Sequence, residues 1–179
     1  MRLPPSALFC LTLAFASIAD AALYPITVRV EQKNKSQTDG PKTTQTKELK
    51  VLLGNSTKQE YSGLKVKYLL FARDVLSKDI SLLEQGERPA DLKGMNTAVV
   101  ETPEVTATFT DEHSSGGRKG GNQVGANSKS KKVEASGQKM VGYAVQVFDA
   151  AGKLIGEAYE PLSMKEQVTK VGSTKAGPK

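Results

Sequence analysis

Gly63-Leu64-Lys65-Val66-Lys67-Tyr68-Leu69-Leu70-Phe71-Ala72-Arg73-Asp74 is the stretch that decides the fold. Leu64, Val66, Tyr68 and Leu70 fall on one side of an extended chain and Lys65 and Lys67 on the other, a period of two that marks a strand with one buried face. From Tyr68 to Phe71 both sides are apolar. Such a strand begins at a wet edge and ends covered on both faces, by a second sheet on one side and a neighbouring element on the other. Tyr68 and Phe71 are therefore expected to be structural residues in the core of a β-sandwich, with this segment as a central strand.

Upstream, residues 23–33 set Ile26, Val28 and Val30 against Thr27, Arg29 and Glu31, and Pro25 starts this strand at a sheet edge. Residues 34–41 are polar and close on Asp39-Gly40-Pro41, a turn signal; a second strand is predicted over 43–53, ended by Gly54-Asn55-Ser56. Downstream, residues 77–85 fit either a short strand or a helical turn, which Gly86-Glu87-Arg88-Pro89 brings to an end. Short strands over 97–101 and 104–110 flank Thr102-Pro103, where a residue without an amide proton calls for a bend or a change of sheet. Residues 139–148 alternate Val141, Tyr143, Val145 and Val147 with Gly142, Ala144, Gln146 and Phe148; Asp149-Ala150-Ala151-Gly152 then turns the chain into a returning strand over 153–159. Residues 161–168 can form a short helix, and 169–179 read as a disordered basic tail. About seven strands and at most one short helix make an all-β antiparallel sandwich rather than an α/β fold.

Residues 111–132 depart from the rest. Their five glycines, five basic residues and single branched aliphatic side chain, Val124, cannot bury enough surface to offset ordering, so a long flexible Gly/Lys-rich loop is expected there. Arg118, Lys119, Lys129, Lys131 and Lys132 are its candidate contacts to an anionic partner such as acidic glycan or lipid head groups; a plain connector is the alternative. The segment has no aromatic residue for base stacking, so no specific nucleic-acid partner is expected.

Residues 1–21 carry Arg2, an apolar run over 7–19 and the small-x-small sequence Ala19-Asp20-Ala21, the order of a secretory signal peptide cleaved after Ala21. The run is shorter than the roughly 20 residues of a membrane span, so the mature chain is not expected to be transmembrane. Cleavage leaves 158 residues, a net charge still at +6 and no cysteine, because Cys10 lies in the leader. A secreted domain without disulfides holds together by its core alone, and the length suffices for one domain over residues 22–162, followed by a short helix and tail over 163–179. That combination fits the periplasm or outer envelope of a bacterium. In such a host the acceptor-like triplets Asn34-Lys35-Ser36 and Asn55-Ser56-Thr57 are chance matches.

Tyr143-Ala144-Val145-Gln146-Val147-Phe148-Asp149-Ala150-Ala151-Gly152 resembles the sixth strand and following hairpin of a fibronectin type III or immunoglobulin-like domain. The resemblance implies an immunoglobulin-like sandwich with Tyr143 as its corner tyrosine, the hydroxyl bonding to upstream backbone. The chain has no tryptophan and no cysteine pair, which sets it apart from antibody domains. More broadly it is similar to small secreted immunoglobulin-like proteins of bacterial envelopes, some of which accompany pili.

The chemistry is sparse. The one histidine, His113, sits in the loop beside Asp111 and Glu112, a poor metal site and a poorly placed general base. Gly116-Gly117 and Gly120-Gly121 match no phosphate-binding spacing. Glu84, Glu87 and Asp91, or Glu101 and Glu104, offer carboxylate pairs of the glycosidase kind, but acids beside turns are usually solvated surface. No cofactor or metal is expected. The sequence thus favours a non-enzymatic secreted structural or protein-interaction module of the cell envelope, in contact with an envelope protein or a second copy through sheet edges and the loop. A carbohydrate-binding module is the second reading, for which Tyr24 and Tyr61 are the aromatics free to stack.

Overall fold

A computed structural model describes residues 24–115 and 131–174. Ten strands run in chain order: β1 (Ile26–Asp39), β2 (Lys42–Asn55), β3 (Tyr61–Asp74), β4 (Ile80–Leu92), β5 (Thr97–Glu101), β6 (Val105–Thr110), β7 (His113–Ser115), β8 (Lys131–Val133), β9 (Ser136–Phe148) and β10 (Leu154–Glu160). One helix, α1 (Met164–Thr174), follows them. Every pairing is antiparallel.

One layer holds β1 and β2, with β5 and β6 in line along the far edge of β2. The other runs β4, β3, β9 and β10. β6 reaches β9 through Phe109↔Gly137 and Thr110↔Ser136, so the layers are one eight-stranded sheet folded over itself. Ile26, Leu49, Val51, Leu53, Leu64, Val66, Leu70, Val145 and Val147 fill the space between them, all at most 2% exposed. This is the antiparallel all-β sandwich the sequence leads one to expect.

β3 is central in its layer, and its two faces behave as its sequence implies. Tyr68 and Leu70 point into the inter-sheet core, whereas Leu69 and Phe71 join Ala144 beneath α1, capped by Met164, Val168 and Val171. The helix is pinned by Lys165, whose ammonium meets Glu157 at 2.6 Å and lies 5.6 Å from the centre of the Tyr159 ring. Tyr68 and Phe71 are 4% and 1% exposed.

Four expectations are corrected. The polar residues 34–39 continue β1 rather than forming a loop, and only Gly40 and Pro41 turn, so β1 and β2 are matched without a break from Ile26↔Asn55 to Asp39↔Lys42. The reason is that this part of the hairpin is solvated on both sides and therefore shows no apolar alternation. Gly86 and Pro89 do not end β4, which runs through both. Proline is tolerated because β4 is an edge strand, and glycine is needed because Tyr68, its register partner, lays its ring where a Cβ would stand. The ends of the 111–132 segment are ordered, since β7 pairs with β8, raising the strand count above seven. Finally, the helix extends into the expected tail, as far as Thr174.

Thr102-Pro103 gives a bend and no change of sheet. The Thr102 amide donates to Leu49 O at 2.9 Å and the Leu49 amide to Thr102 Oγ1 at 2.9 Å, so β2 holds both sides of the break.

Candidate functional site

Arg118, Lys119 and Lys129 lie outside the described residues, and Lys131 is placed in the backbone of β8. Lys132 is paired across the β7–β8 ribbon with Glu112 at 2.9 Å; both side chains are well exposed, and such pairs are worth under about 1 kcal/mol. Of the five basic residues, only Lys132 has a described side-chain contact. Among the described residues no three His, Cys, Asp or Glu groups converge as a metal would require. The carboxylates at the turns are individually engaged: Glu101 and Glu104 with Lys33 and Lys35, Glu87 with Lys65, and Asp91 with the Gly63 amide.

Another feature is built by the fold itself. The register of β1 and β2 sends Ile26, Val28 and Val30 and their neighbours Leu49, Val51 and Leu53 to the inner face. Further along, that same inner face carries Gln32, Asn34 and Ser36 on β1 and Lys47 and Gln45 on β2. A sandwich cannot close over such residues, because each buried polar group needs a partner. A depression of about 270 Å³ lies here, lined by Asn34, Lys35, Ser36, Gln45, Thr46, Lys47 and Met140.

Near this cleft stands Glu160, the last residue of β10, whose charge acts on Lys47. Its carboxylate accepts from the Tyr143 hydroxyl at 3.0 Å and from Gln32 Nε2 at 2.9 Å. Tyr143 is thus buried as expected, but its hydroxyl bonds forward to a carboxylate in the adjacent strand rather than back to upstream backbone. Gln45 Oε1 accepts from the Met140 amide at 3.1 Å, replacing a ladder bond where β9 turns away from β6. Lys47 is half-buried, and burial pulls its ammonium below the usual lysine range, opposed by attraction to Glu160.

Burial, with Glu160 accepting the proton of its hydroxyl, pushes Tyr143 up to about 12; burial and Glu157 do the same for Tyr159. A pKa raised in the folded state stabilises the fold fully below the unfolded value near 10, and that contribution is lost as pH climbs toward 12. Absorbance titration at 295 nm should therefore show two tyrosines ionising near pH 12, together with cooperative loss of structure between pH 10 and 12. Ionisation of all five tyrosines near pH 10 while the fold is intact would contradict the placement of both hydroxyls.

A second depression, about 350 Å³, lies at the opposite end against the outer face of the β1–β2 layer, lined by Arg29, Leu52, Met95 and Asn96. It is shaped by Asn55, which is buried and ties two loops by donating to Gln59 O and Lys93 O and accepting from the Thr57 amide. The Asn55 side chain is thereby closed to modification. None of the eight aromatic residues from Tyr24 onward is exposed: Tyr61 is packed on the core and Tyr24 bonds Glu157, so neither offers a stacking platform.

The edges complete the surface. β1 ends its layer, and its first residues are flanked by β10, where Gly156 has no side chain to collide with Val28. Beyond Gln32, β1 pairs only with β2 among the described residues. Its lysines are drawn onto the outer face by Glu48 and Glu101 for Lys33 and by Glu104 for Lys35. β4, the other long edge, carries Pro89 and two register shifts.

The sequence did not single out the residues of the cleft. The signal was present in β2, where positions 43, 45 and 47 are polar and 49, 51 and 53 apolar at the same spacing, but it acquires meaning only from the register.

No family model and no curated protein matches this chain. Among solved structures, the β-glucuronidase 2 of Bacteroides uniformis aligns with 75% of this chain at 7% identity and a TM-score of 0.40; the aligned part is 14% of that chain, so the present chain corresponds to about one seventh of it. The structural genomics target SoR45 aligns over 75% of this chain and 85% of its own at 9% identity, with a TM-score of 0.38. The E. coli curli protein CsgC aligns over 74% and 99%, at 10% identity and a TM-score of 0.30. Likeness at this level carries no conclusion about function.

Proposed function

We propose that this chain is a non-enzymatic, secreted interaction module of a bacterial cell envelope, and that it holds its partner by accepting an extended strand on the open edge of β1. The observation that carries the reading is the distal half of β1. It is in unbroken register with β2, has no bulge and no proline, and is exposed from Lys33 to Asp39. Natural sheets usually blunt such edges with prolines, bulges, covering elements or lysines, as β4 does with Pro89, because an open edge is a template for another chain; β1 has only Lys33 and Lys35, and their charges are held on the outer face by Glu48 and Glu104. Backbone pairing supplies affinity in strand addition, and neighbouring side-chain pockets supply selectivity. The leader-like residues 1–21 support secretion, and the absence of cysteine from the mature chain supports a bacterial envelope. The layer order, β1, β2 and the β5–β6 line against β4, β3, β9 and β10, supports the immunoglobulin-like resemblance of residues 143–152.

A photo-reactive phenylalanine analogue placed at Gln37 on β1, or at Arg88 on β4, tests the reading in the producing cells. A discrete cross-linked adduct from position 37 and none from 88 is the expected result. An adduct only from 88 would move the interaction to β4, and adducts from neither would refute strand addition at a sheet edge.

A further inference from the structure

Resting on strand addition at β1, we infer that the depression around Lys47 is a register pocket for one glutamate side chain of the incoming strand. Lys33, Lys35 and Lys50, on the outer face of the same layer, each have a carboxylate within 4 Å. Lys47 points the other way, into the cleft, and no ion pair or hydrogen bond engages its ammonium among the described residues. It is also half-buried, so its charge has lost water without gaining a partner. Glu160, the carboxylate that acts on it, is already accepting from Tyr143 and Gln32.

The geometry favours a side chain delivered from β1's open edge. A strand added there lies about 4.8 Å from β1, and β2 is one further spacing away, so an inward side chain beside Asn34 starts roughly 10 Å from the Lys47 backbone. Lysine and a carboxylate side chain together span that gap, and glutamate does so with more latitude than aspartate because it is one methylene longer. The aliphatic stem would run over Met140 and the carboxylate would end among Lys47, Asn34 and Ser36, which supply hydrogen-bond donors. Charge fits as well, since the chain is basic at +6 and an acidic strand is drawn toward it.

The test uses the mature chain, residues 22–179, and fluorescent end-capped octapeptides of alternating threonine and valine carrying one glutamate, or one glutamine, at an inward position. Fluorescence anisotropy should show the glutamate peptide binding about tenfold more tightly, the effect of one charge-assisted contact. K47M should erase that preference while leaving the glutamine peptide's affinity unchanged, and K50M, on the outer face and outside the depression, should leave the preference intact. Because K47M can disturb folding, the Lys47 Cε resonance of the unmodified protein is followed as well. Adding the glutamate peptide should raise the pH at which it titrates, and the glutamine peptide should not move it. Equal affinity for both peptides, with no shift of the Lys47 titration, overturns the pocket and leaves strand addition standing. Failure of both peptides to bind at millimolar concentration overturns the pocket and the edge reading together.

Discussion

Replacing Gly86 by valine should lower the stability of the domain by about 3 kcal/mol, near the upper end for overpacking a core. A Cβ at this position would meet the Tyr68 ring and hydroxyl, and neither partner can retreat. Gly86 lies in a strand paired to β3, and Tyr68 is 4% exposed between the layers. The variant must either expel the ring, forfeiting a large buried aromatic surface, or open the β3–β4 ladder. Denaturant unfolding should show the midpoint falling with an unchanged slope. Combining Gly86→Val with Tyr68→Leu should cost less than the two single changes added together, because the smaller side chain removes the clash. A loss below about 0.5 kcal/mol for Gly86→Val alone would mean the ring does not lie over the glycine.

Ending the chain after Glu160 should cost about 5 kcal/mol and cause the domain to self-associate. α1 covers the outer face of its layer with Met164, which is 2% exposed, and with Val168 and Val171, against Leu69, Phe71 and Ala144. Burial of each such side chain contributes about 1.5–3 kcal/mol. Lys165 adds little by its exposed ion pair to Glu157 and acts mainly by fixing where the helix lands. For a chain of this length the loss corresponds to a Tm lower by roughly 10–20 °C. The uncovered face would be a contiguous apolar patch of the kind that drives association. Calorimetry and sedimentation velocity read the two effects. An unchanged Tm with a monomeric truncated chain would show that the helix does not pack where it is placed here.

The contrast between β3 and its neighbours explains how much was legible. β3 could be read to within two residues, Gly63–Asp74 against the observed Tyr61–Asp74, because both of its faces are buried or alternate cleanly, and period alone reveals that. The distal half of β1 could not, since residues solvated on both sides obey no pattern and resemble a turn. Gly86 was misread because its purpose lies in Tyr68, a cross-strand partner 18 positions away in the sequence. Lys47 was invisible for a related reason. As a polar residue in a strand it suggests the solvent face, and only the pairing with Asn34, together with the parity of Leu49 and Val51, turns it inward. The five basic residues of 111–132 were conspicuous in composition; Arg118, Lys119 and Lys129 lie outside the described residues, and Lys132 is paired with Glu112.

Site-resolved amide exchange over β1 bears most directly on the proposed open edge, with residues 22–179 alone and then with any protein cross-linked at position 37. Alone, alternate amides over Lys33 to Asp39 should exchange rapidly, those facing β2 being protected and those facing outward not, while the residues flanked by β10 exchange slowly. With the partner bound, the outward set should become protected by at least tenfold, and β4 should be unchanged. Protection appearing on β4, or no change over Lys33 to Asp39 in a complex shown to be intact, would contradict strand addition at β1.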